Sequence, residues 1–89
     1  IPTSMKYIPN LTSLIINSGL LKNICKSIIN LTKLEKLNLR DNFIINITNK
    51  IDRLTKLKEI NLINNRIKKI PKNFCSLQNL REIYLQINM

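Results

Sequence analysis

The feature that most constrains this chain is a repeat of 23 residues. Its clearest copy begins at Leu34, where apolar residues occupy the first, fourth, sixth and eleventh places and Asn occupies the ninth. The same spacing begins at Leu11, Leu57 and Leu80 with no insertion or deletion. A unit this short cannot bury its own apolar face, so consecutive units must stack into an array with a shared core.

The repeat divides the chain of 89 residues into full and partial units. The units are a partial repeat 1–10, three full repeats 11–33, 34–56 and 57–79, and a partial repeat 80–89. A chain of this length makes one domain at most, so we expect residues 1–89 to form a single repeat domain. Both ends lack a polar cap. We expect Ile1, Met5 and Ile8 to cover the first full repeat in part, and Ile83, Leu85 and Met89 to face solvent or another molecule.

Each repeat combines two spacings. The fourth and sixth places, Leu37 and Leu39 in the second repeat, are two residues apart and so point to one side of a strand. Strands of about three to five residues should pair side by side into a parallel sheet. The ninth-place Asn suits a turn because its side chain can bind backbone groups, and Gly19 takes this place in the first repeat. The Ile70-Pro71 step favours an extended or 3₁₀ return segment.

The third repeat carries the most complete motif, Leu57-x-x-Ile60-x-Leu62-x-x-Asn65-x-Ile67-x-x-Ile70-Pro71-x-x-Phe74-x-x-Leu77. This pattern resembles the leucine-rich repeat family, of the typical 23-residue class, and the resemblance covers the whole chain. It implies an α/β solenoid, a right-handed array with a short-stranded parallel sheet on the concave side and an irregular or 3₁₀ convex side. Family members bind many kinds of molecule, so the resemblance specifies a fold and no particular partner.

The composition argues against catalysis. The chain has no His and one Gly, which excludes His-based triads and common His/Cys metal sites and leaves no Gly-rich phosphate loop. Glu59 and Glu82 share the third place and should be neighbours, but Lys36 occupies the same column and no deep pocket is implied beside them. We therefore expect no enzyme activity, no metal and no cofactor.

The cysteines and the apolar runs bear on the cellular setting. Cys25 and Cys75 lie two repeats apart, which at about 5 Å per repeat separates them by about 10 Å or more, beyond disulfide reach. We expect both to be reduced core or near-core residues, which favours an intracellular, cytoplasmic protein. No signal peptide is recognisable, and no apolar run is long enough to span a membrane.

The net charge of +10 is unevenly distributed over the repeat. Places two to ten carry five basic and four acidic residues, whereas all other places carry ten basic residues and one acidic residue. The convex side should therefore be basic and the concave face nearly neutral. A basic surface serves solubility or attracts an anionic surface, here through Lys68, Lys69 and Lys72. Nucleic acid is not favoured, because no aromatic residues are interleaved for base stacking.

The concave face is the predicted binding surface. Core packing does not require Ile15, Ile63, Tyr84 or Ile87 to be apolar, and a mixture of apolar, Tyr and Arg residues is typical of protein-binding surfaces. The competing interpretation is strand propensity combined with an Ile-rich composition. The predicted partner-binding residues are Lys36, Asn38, Arg40, Phe43, Asn61, Ile63, Arg66 and Tyr84.

Three functions remain open at this point. The leading hypothesis is a non-catalytic scaffold module that binds a protein partner on its concave face. The alternative is structural self-assembly, in which uncapped repeats stack end to end into a homo-oligomer. The third is binding of an anionic surface by the basic convex side.

Overall fold

The computed structural model describes residues 10–88. Four strands of three residues form one sheet in chain order: β1 Ser13–Ile15, β2 Lys36–Asn38, β3 Glu59–Asn61 and β4 Glu82–Tyr84. All neighbours are parallel, and each Cα pairs with the residue one repeat further on, as Leu37 pairs with Ile60 and Ile60 with Ile83. This register confirms the predicted parallel sheet and the 23-residue step between strands.

The return side of each full repeat carries one short helical turn. The first is the α-helical turn α1, Lys26–Ile29, and the next two are 3₁₀ helices, Asn49–Arg53 and Lys72–Ser76. The N–H groups of Ile29 and Asn30 reach carbonyls four residues back, which makes the first turn α-helical. The expected irregular or 3₁₀ return is therefore found in the second and third repeats, with an α-helical turn in the first.

The core lies between the sheet and the return side. In the second repeat the side chains of Leu34, Leu37 and Leu39 are fully or almost fully enclosed, and their third-repeat equivalents are buried to the same degree. Strand residues alternate, so Lys36 and Asn38 point away from this core. Full burial of a Leu or Ile side chain contributes about 1.5–3 kcal/mol relative to exposure, which concentrates stability in the two central repeats.

The ninth-place Asn residues form a ladder that links adjacent repeats. The Nδ2 atom of Asn65 donates to the carbonyls of Leu62 in its own repeat and Leu39 in the preceding one, at 3.0 Å each. Its Oδ1 atom accepts the backbone N–H of Ile44 at 3.0 Å. Asn42 and Asn88 bind the equivalent carbonyls. The predicted role of this Asn at the turn is therefore confirmed.

Burial decreases toward both ends of the described array. The side chain of Ile83 on β4 is 46% exposed, whereas Ile60 on β3 is completely buried. Ile70 is 41% exposed, although Ile24 and Ile47 are buried at the same place of the preceding repeats, because within residues 10–88 no further return segment packs over the third repeat. The partial repeat 1–10, apart from its last residue, lies outside the described residues, as do its covering residues Ile1, Met5 and Ile8, and Met89 at the other end.

The two cysteines differ in burial. Both are free thiols, and Cys25 packs against the core as expected. Cys75 is exposed, so the expectation of a near-core position is wrong for it. In the 3₁₀ helix Lys72–Ser76 the inward position belongs to Phe74, and the next residue therefore points outward.

Candidate functional site

The outward side of the parallel sheet is a continuous surface, which we call the sheet face. It comprises the first and third residues of each strand and the residues that follow toward the turn, and it is the face predicted to be concave. Strand pairing sets Lys36 beside Glu59, and Asn38 between Ile15 and Asn61. Neighbouring strands lie about 4.8 Å apart, so side chains in one row lie within contact range of each other.

Two asparagines stiffen the row that the third residues of the strands form on the sheet face. The Oδ1 atoms of Asn38 and Asn61 accept the backbone N–H groups of Arg40 and Ile63, at 3.1 and 3.0 Å. These bonds fix both amide groups and hold the backbone of the residues that follow. Within residues 10–88 the Nδ2 atoms of these two asparagines donate to no acceptor, and both residues lie on the side of the sheet that faces away from the core.

Tyr84 is oriented by a neighbouring carboxylate. Its hydroxyl group donates a hydrogen bond to Glu82, two residues earlier on β4. This hydrogen bond and the negative charges of Glu82 and Glu59 raise the pKa of Tyr84 above the ordinary value of 10.0. The phenol therefore remains neutral over the physiological range, with its ring presented on the sheet face.

Arg40 is held loosely by an acidic turn residue. Its Nε atom lies 3.6 Å from the Oδ2 atom of Asp41, and both side chains are about half exposed. Asp41 also accepts a hydrogen bond of 2.9 Å from Asn64 in the next repeat. An exposed pair of this kind contributes about 1 kcal/mol at most, so Asp41 holds the Arg40 side chain only weakly.

A second group of side chains lies at the turns beyond the sheet, and we call it the rim. It consists of Leu20, Phe43, Ile45 and Arg66. The guanidinium carbon of Arg66 stands 4.3 Å from the centre of the Phe43 ring. Leu20 is 80% exposed, and Phe43 and Ile45 also present apolar surface to solvent.

The structure places the predicted residues in three parts of this surface. Asn38, Asn61 and Tyr84 form one row, and Arg40 and Ile63 follow the same strands toward the turn. Lys36 lies apart from them at the opposite end of β2, about 13 Å from the Arg40 position at about 3.3 Å per residue. Phe43 and Arg66 form the rim pair.

Sequence reasoning missed Ile45. Its place in the repeat is held by Lys22 in the first repeat and by Lys68 in the third. An apolar residue at a place that is otherwise basic was therefore the feature of the sequence that could have pointed to Ile45. The Tyr84–Glu82 hydrogen bond was also missed, since alternation along a strand shows only that the two residues share a face.

Two observations on the described chain concern metal ions and membranes. Within residues 10–88, no cluster of His, Cys, Asp or Glu side chains is arranged to hold a metal ion. None of the helices in that range has the length and apolar character needed to cross a bilayer.

The whole repeat array is similar to solved structures of bacterial proteins. A leucine-rich repeat protein of Leptospira interrogans matches 99% of this chain at 30% sequence identity, with a TM-score of 0.90. The chain belongs to the leucine-rich repeat family. An internalin of Listeria monocytogenes matches 100% of the chain at 20% identity, with a TM-score of 0.83, and shows the same fold. No protein-family model and no curated protein matches the chain.

This leucine-rich repeat chain is much shorter than either matched protein. It spans 22% of the Leptospira protein and 26% of the internalin. The similarity therefore concerns a run of repeats. Within that run, the motif residues account for the core and the Asn ladder, and the sheet face and rim carry the side chains that the motif leaves free.

Proposed function

We propose that this leucine-rich repeat chain is a non-catalytic interaction module that binds a protein partner on its sheet face. The observation that carries the proposal is the apolar surface exposed there. Ile15 is 64% exposed on β1, and Ile63 and Tyr84 are only partly buried. Protein interfaces are enriched in aromatic and Arg residues, and exposed apolar groups between polar ones are typical of such surfaces.

The charges on the sheet face favour a partner with a particular polarity. The first residues of the strands run Ser13, Lys36, Glu59 and Glu82, so positive charge on β2 gives way to negative charge on β3 and β4. A partner that presents an acidic group toward β2 and basic groups toward β4 would complement this order. Complementary charge of this kind increases association rates and selects orientation more than it increases affinity.

The rigidity of the sheet face supports binding. Asn38 and Asn61 are fixed by hydrogen bonds to their own strands, and Tyr84 is fixed by Glu82. Side chains that are already ordered lose less conformational entropy when a partner binds. The rim pair Phe43–Arg66 extends the same surface at the edge of the sheet. Two free thiols, Cys25 and Cys75, favour a reducing, intracellular setting for this scaffold role.

The test is triple alanine replacement of Arg40, Ile63 and Tyr84, followed by measurement of partner affinity. Truncation of the hot-spot residues at the centre of an interface typically costs about 2 kcal/mol or more of binding free energy, so affinity should fall by about 30-fold or more. The matched control is the variant Lys56→Gln/Lys68→Gln/Lys69→Gln, which changes three exposed convex residues and should retain binding. Undiminished binding by the alanine variant overturns the sheet-face proposal.

A second candidate function is self-assembly into a homo-oligomer through the exposed edge of the sheet. The observation that favours it is Ile83 on β4, whose equivalents on β2 and β3 are buried. An exposed strand edge with apolar side chains can pair with another chain. Light scattering over a range of protein concentrations tests this candidate: mass that rises with concentration supports it, and a constant monomer mass rules it out.

A further inference from the structure

The return side of the repeats carries most of the positive charge. Within residues 10–88 it holds nine basic side chains and one acidic side chain, Asp52. The Oδ2 atom of Asp52 accepts a hydrogen bond of 2.9 Å from Asn73 in the next repeat, so this carboxylate is already occupied. The two ion pairs of the described chain, Arg40–Asp41 and Lys58–Glu35, involve none of the nine basic residues.

A cleft of about 380 Å³ opens on this side between the first and second repeats. It lies where the α-helical turn α1 meets the 3₁₀ helix Asn49–Arg53. The two helix types rise by about 1.5 and 2.0 Å per residue, so their backbones do not run in step. This mismatch is absent between the second and third repeats, which both carry 3₁₀ helices.

The chemistry of the cleft is that of an anion site. Three cationic side chains line it, Lys26 from the first repeat and Lys50 and Arg53 from the second. Asn30 and Thr48 add polar groups, and the buried residues Ile24 and Ile29 complete the lining. No acidic residue is among these seven, and none of the three cations has an acidic partner within residues 10–88.

Size and composition narrow the ligand class. Small-molecule sites in proteins occupy about 300–1,000 Å³, and this cleft lies at the lower end of that range. Three cations lining one cleft match a group with more than one negative charge, and Arg in particular binds phosphate oxygens in a bidentate manner. No aromatic residue lines the cleft, so a nucleobase would find no stacking partner there.

We propose that the cleft between α1 and the 3₁₀ helix Asn49–Arg53 binds the phosphate groups of a small, non-aromatic phosphorylated molecule. Lys26, Lys50 and Arg53 supply the positive charge, and Asn30 and the backbone around Thr48 supply hydrogen bonds. The site lies on the opposite side of the repeats from the sheet face and does not depend on the proposed protein partner. A ligand here bridges two repeats and stabilises their contact.

Nuclear magnetic resonance of the labelled protein, titrated with inorganic pyrophosphate at an ionic strength of about 0.1 M, where the Debye length is about 10 Å, tests the proposal. The expected result is saturable shifts of the backbone amide signals of Asn30, Thr48 and Lys50. In the cleft variant Lys26→Gln/Lys50→Gln/Arg53→Gln, pyrophosphate affinity should fall by about tenfold or more, because three charge-assisted contacts are lost. The absence of saturable shifts, or unchanged affinity in that variant, overturns the proposal.

The matched control separates a site from a general field. The variant Lys56→Gln/Lys68→Gln/Lys69→Gln removes the same number of charges from the same side but outside the cleft. It should reduce pyrophosphate affinity by about threefold or less, since none of the three side chains lines the cleft and exposed charges are largely screened at this ionic strength. Equal losses in the two variants overturn the proposal. All six side chains are exposed, so both variants should keep the fold, which far-ultraviolet circular dichroism verifies.

A vesicle experiment identifies the source of the phosphate. Phosphatidylcholine vesicles with and without phosphatidylinositol bisphosphate are sedimented with the protein and with the cleft variant. Binding to the phosphorylated vesicles that the cleft variant loses assigns the phosphate to a lipid headgroup. Binding of pyrophosphate without vesicle binding assigns it to a soluble molecule. Vesicle binding that the cleft variant retains overturns the assignment to a lipid headgroup.

Discussion

The guanidinium carbon of Arg66 lies 4.3 Å above the centre of the Phe43 ring. The two residues occupy the same place in adjacent repeats, so the cation–π contact links the turns of the second and third repeats. Contacts of this kind at exposed sites are worth about 0.5–1 kcal/mol. The pair therefore orders the rim more than it stabilises the fold.

A double-mutant cycle measures this contact. The single variants Phe43→Leu and Arg66→Gln, and their combination, should show a coupling energy of about 0.5 kcal/mol in urea unfolding, because each change removes one half of the pair. The pair Phe43 and Arg81 serves as the control, and its effects should be additive. Additive effects for Phe43 and Arg66 would contradict the assigned contact.

The Asn ladder should dominate the polar contribution to stability. Asn65→Ala removes four hydrogen bonds and leaves the carbonyls of Leu39, Leu62 and Ile63 and the N–H of Ile44 without this partner. We expect the free energy of unfolding to fall by about 2–4 kcal/mol, measured by chemical denaturation.

The control for the ladder is Asn49→Ala. Its side chain is exposed and makes no hydrogen bond within residues 10–88, so the expected change is about 0.5 kcal/mol or less. A loss for Asn65→Ala no larger than that of the control would contradict the role of the ladder.

Ile87 adopts a backbone conformation that its side chain disfavours. Its φ is +59°, in the left-handed region where a β-branched residue is strained. Asp41 and Asn64 hold the same place in the preceding repeats with similar φ values. Ile87→Asn should therefore raise the free energy of unfolding by up to about 1 kcal/mol.

Ile15→Asn is the matched control for this substitution. Ile15 has a similar exposure but lies on β1, so the same chemical change should give no gain. Equal responses of the two variants in urea unfolding would show that backbone strain at Ile87 is not the cause.

The pKa of Tyr84 provides a probe of the sheet face. In a Tyr7→Phe background, phenolate absorbance should report a Tyr84 pKa above 10.0, and Glu82→Gln should lower it toward that value. Because the folded-state pKa is raised, the stabilising contribution is complete below the unfolded-state pKa and is lost as pH rises through the folded-state pKa. An unchanged titration in the Glu82→Gln variant would contradict the hydrogen bond.

The sequence specified what faces inward and little of what faces outward. Leu34, Leu37 and Leu39 recur at a fixed step, so strand register and core follow from periodicity alone. The Phe43–Arg66 contact depends on rotamers across two repeats, which periodicity does not encode. The cleft depends on the change from α1 to the 3₁₀ helix Asn49–Arg53, a difference between repeats that share one spacing.

The position of Cys75 illustrates the same limit. Its place in the repeat is shared with Ile29, which is buried in α1, and with Asp52, which is partly exposed. The same place thus points inward on an α-helical turn and outward on a 3₁₀ helix. Sequence spacing predicted the return segment but not its helix type in each repeat.

The most direct test of the central claim is photo-crosslinking with a benzophenone amino acid placed at Asn61 or, in a second protein, at Asn49. Asn61 lies in the middle of the sheet face, and Asn49 lies on the return side. In extracts of cells that produce the protein, the account predicts a crosslinked protein partner from position 61 that is absent from position 49 and absent after Arg40→Ala/Ile63→Ala/Tyr84→Ala. Crosslinks from position 49 alone, or crosslinks from position 61 that survive the triple replacement, would contradict it.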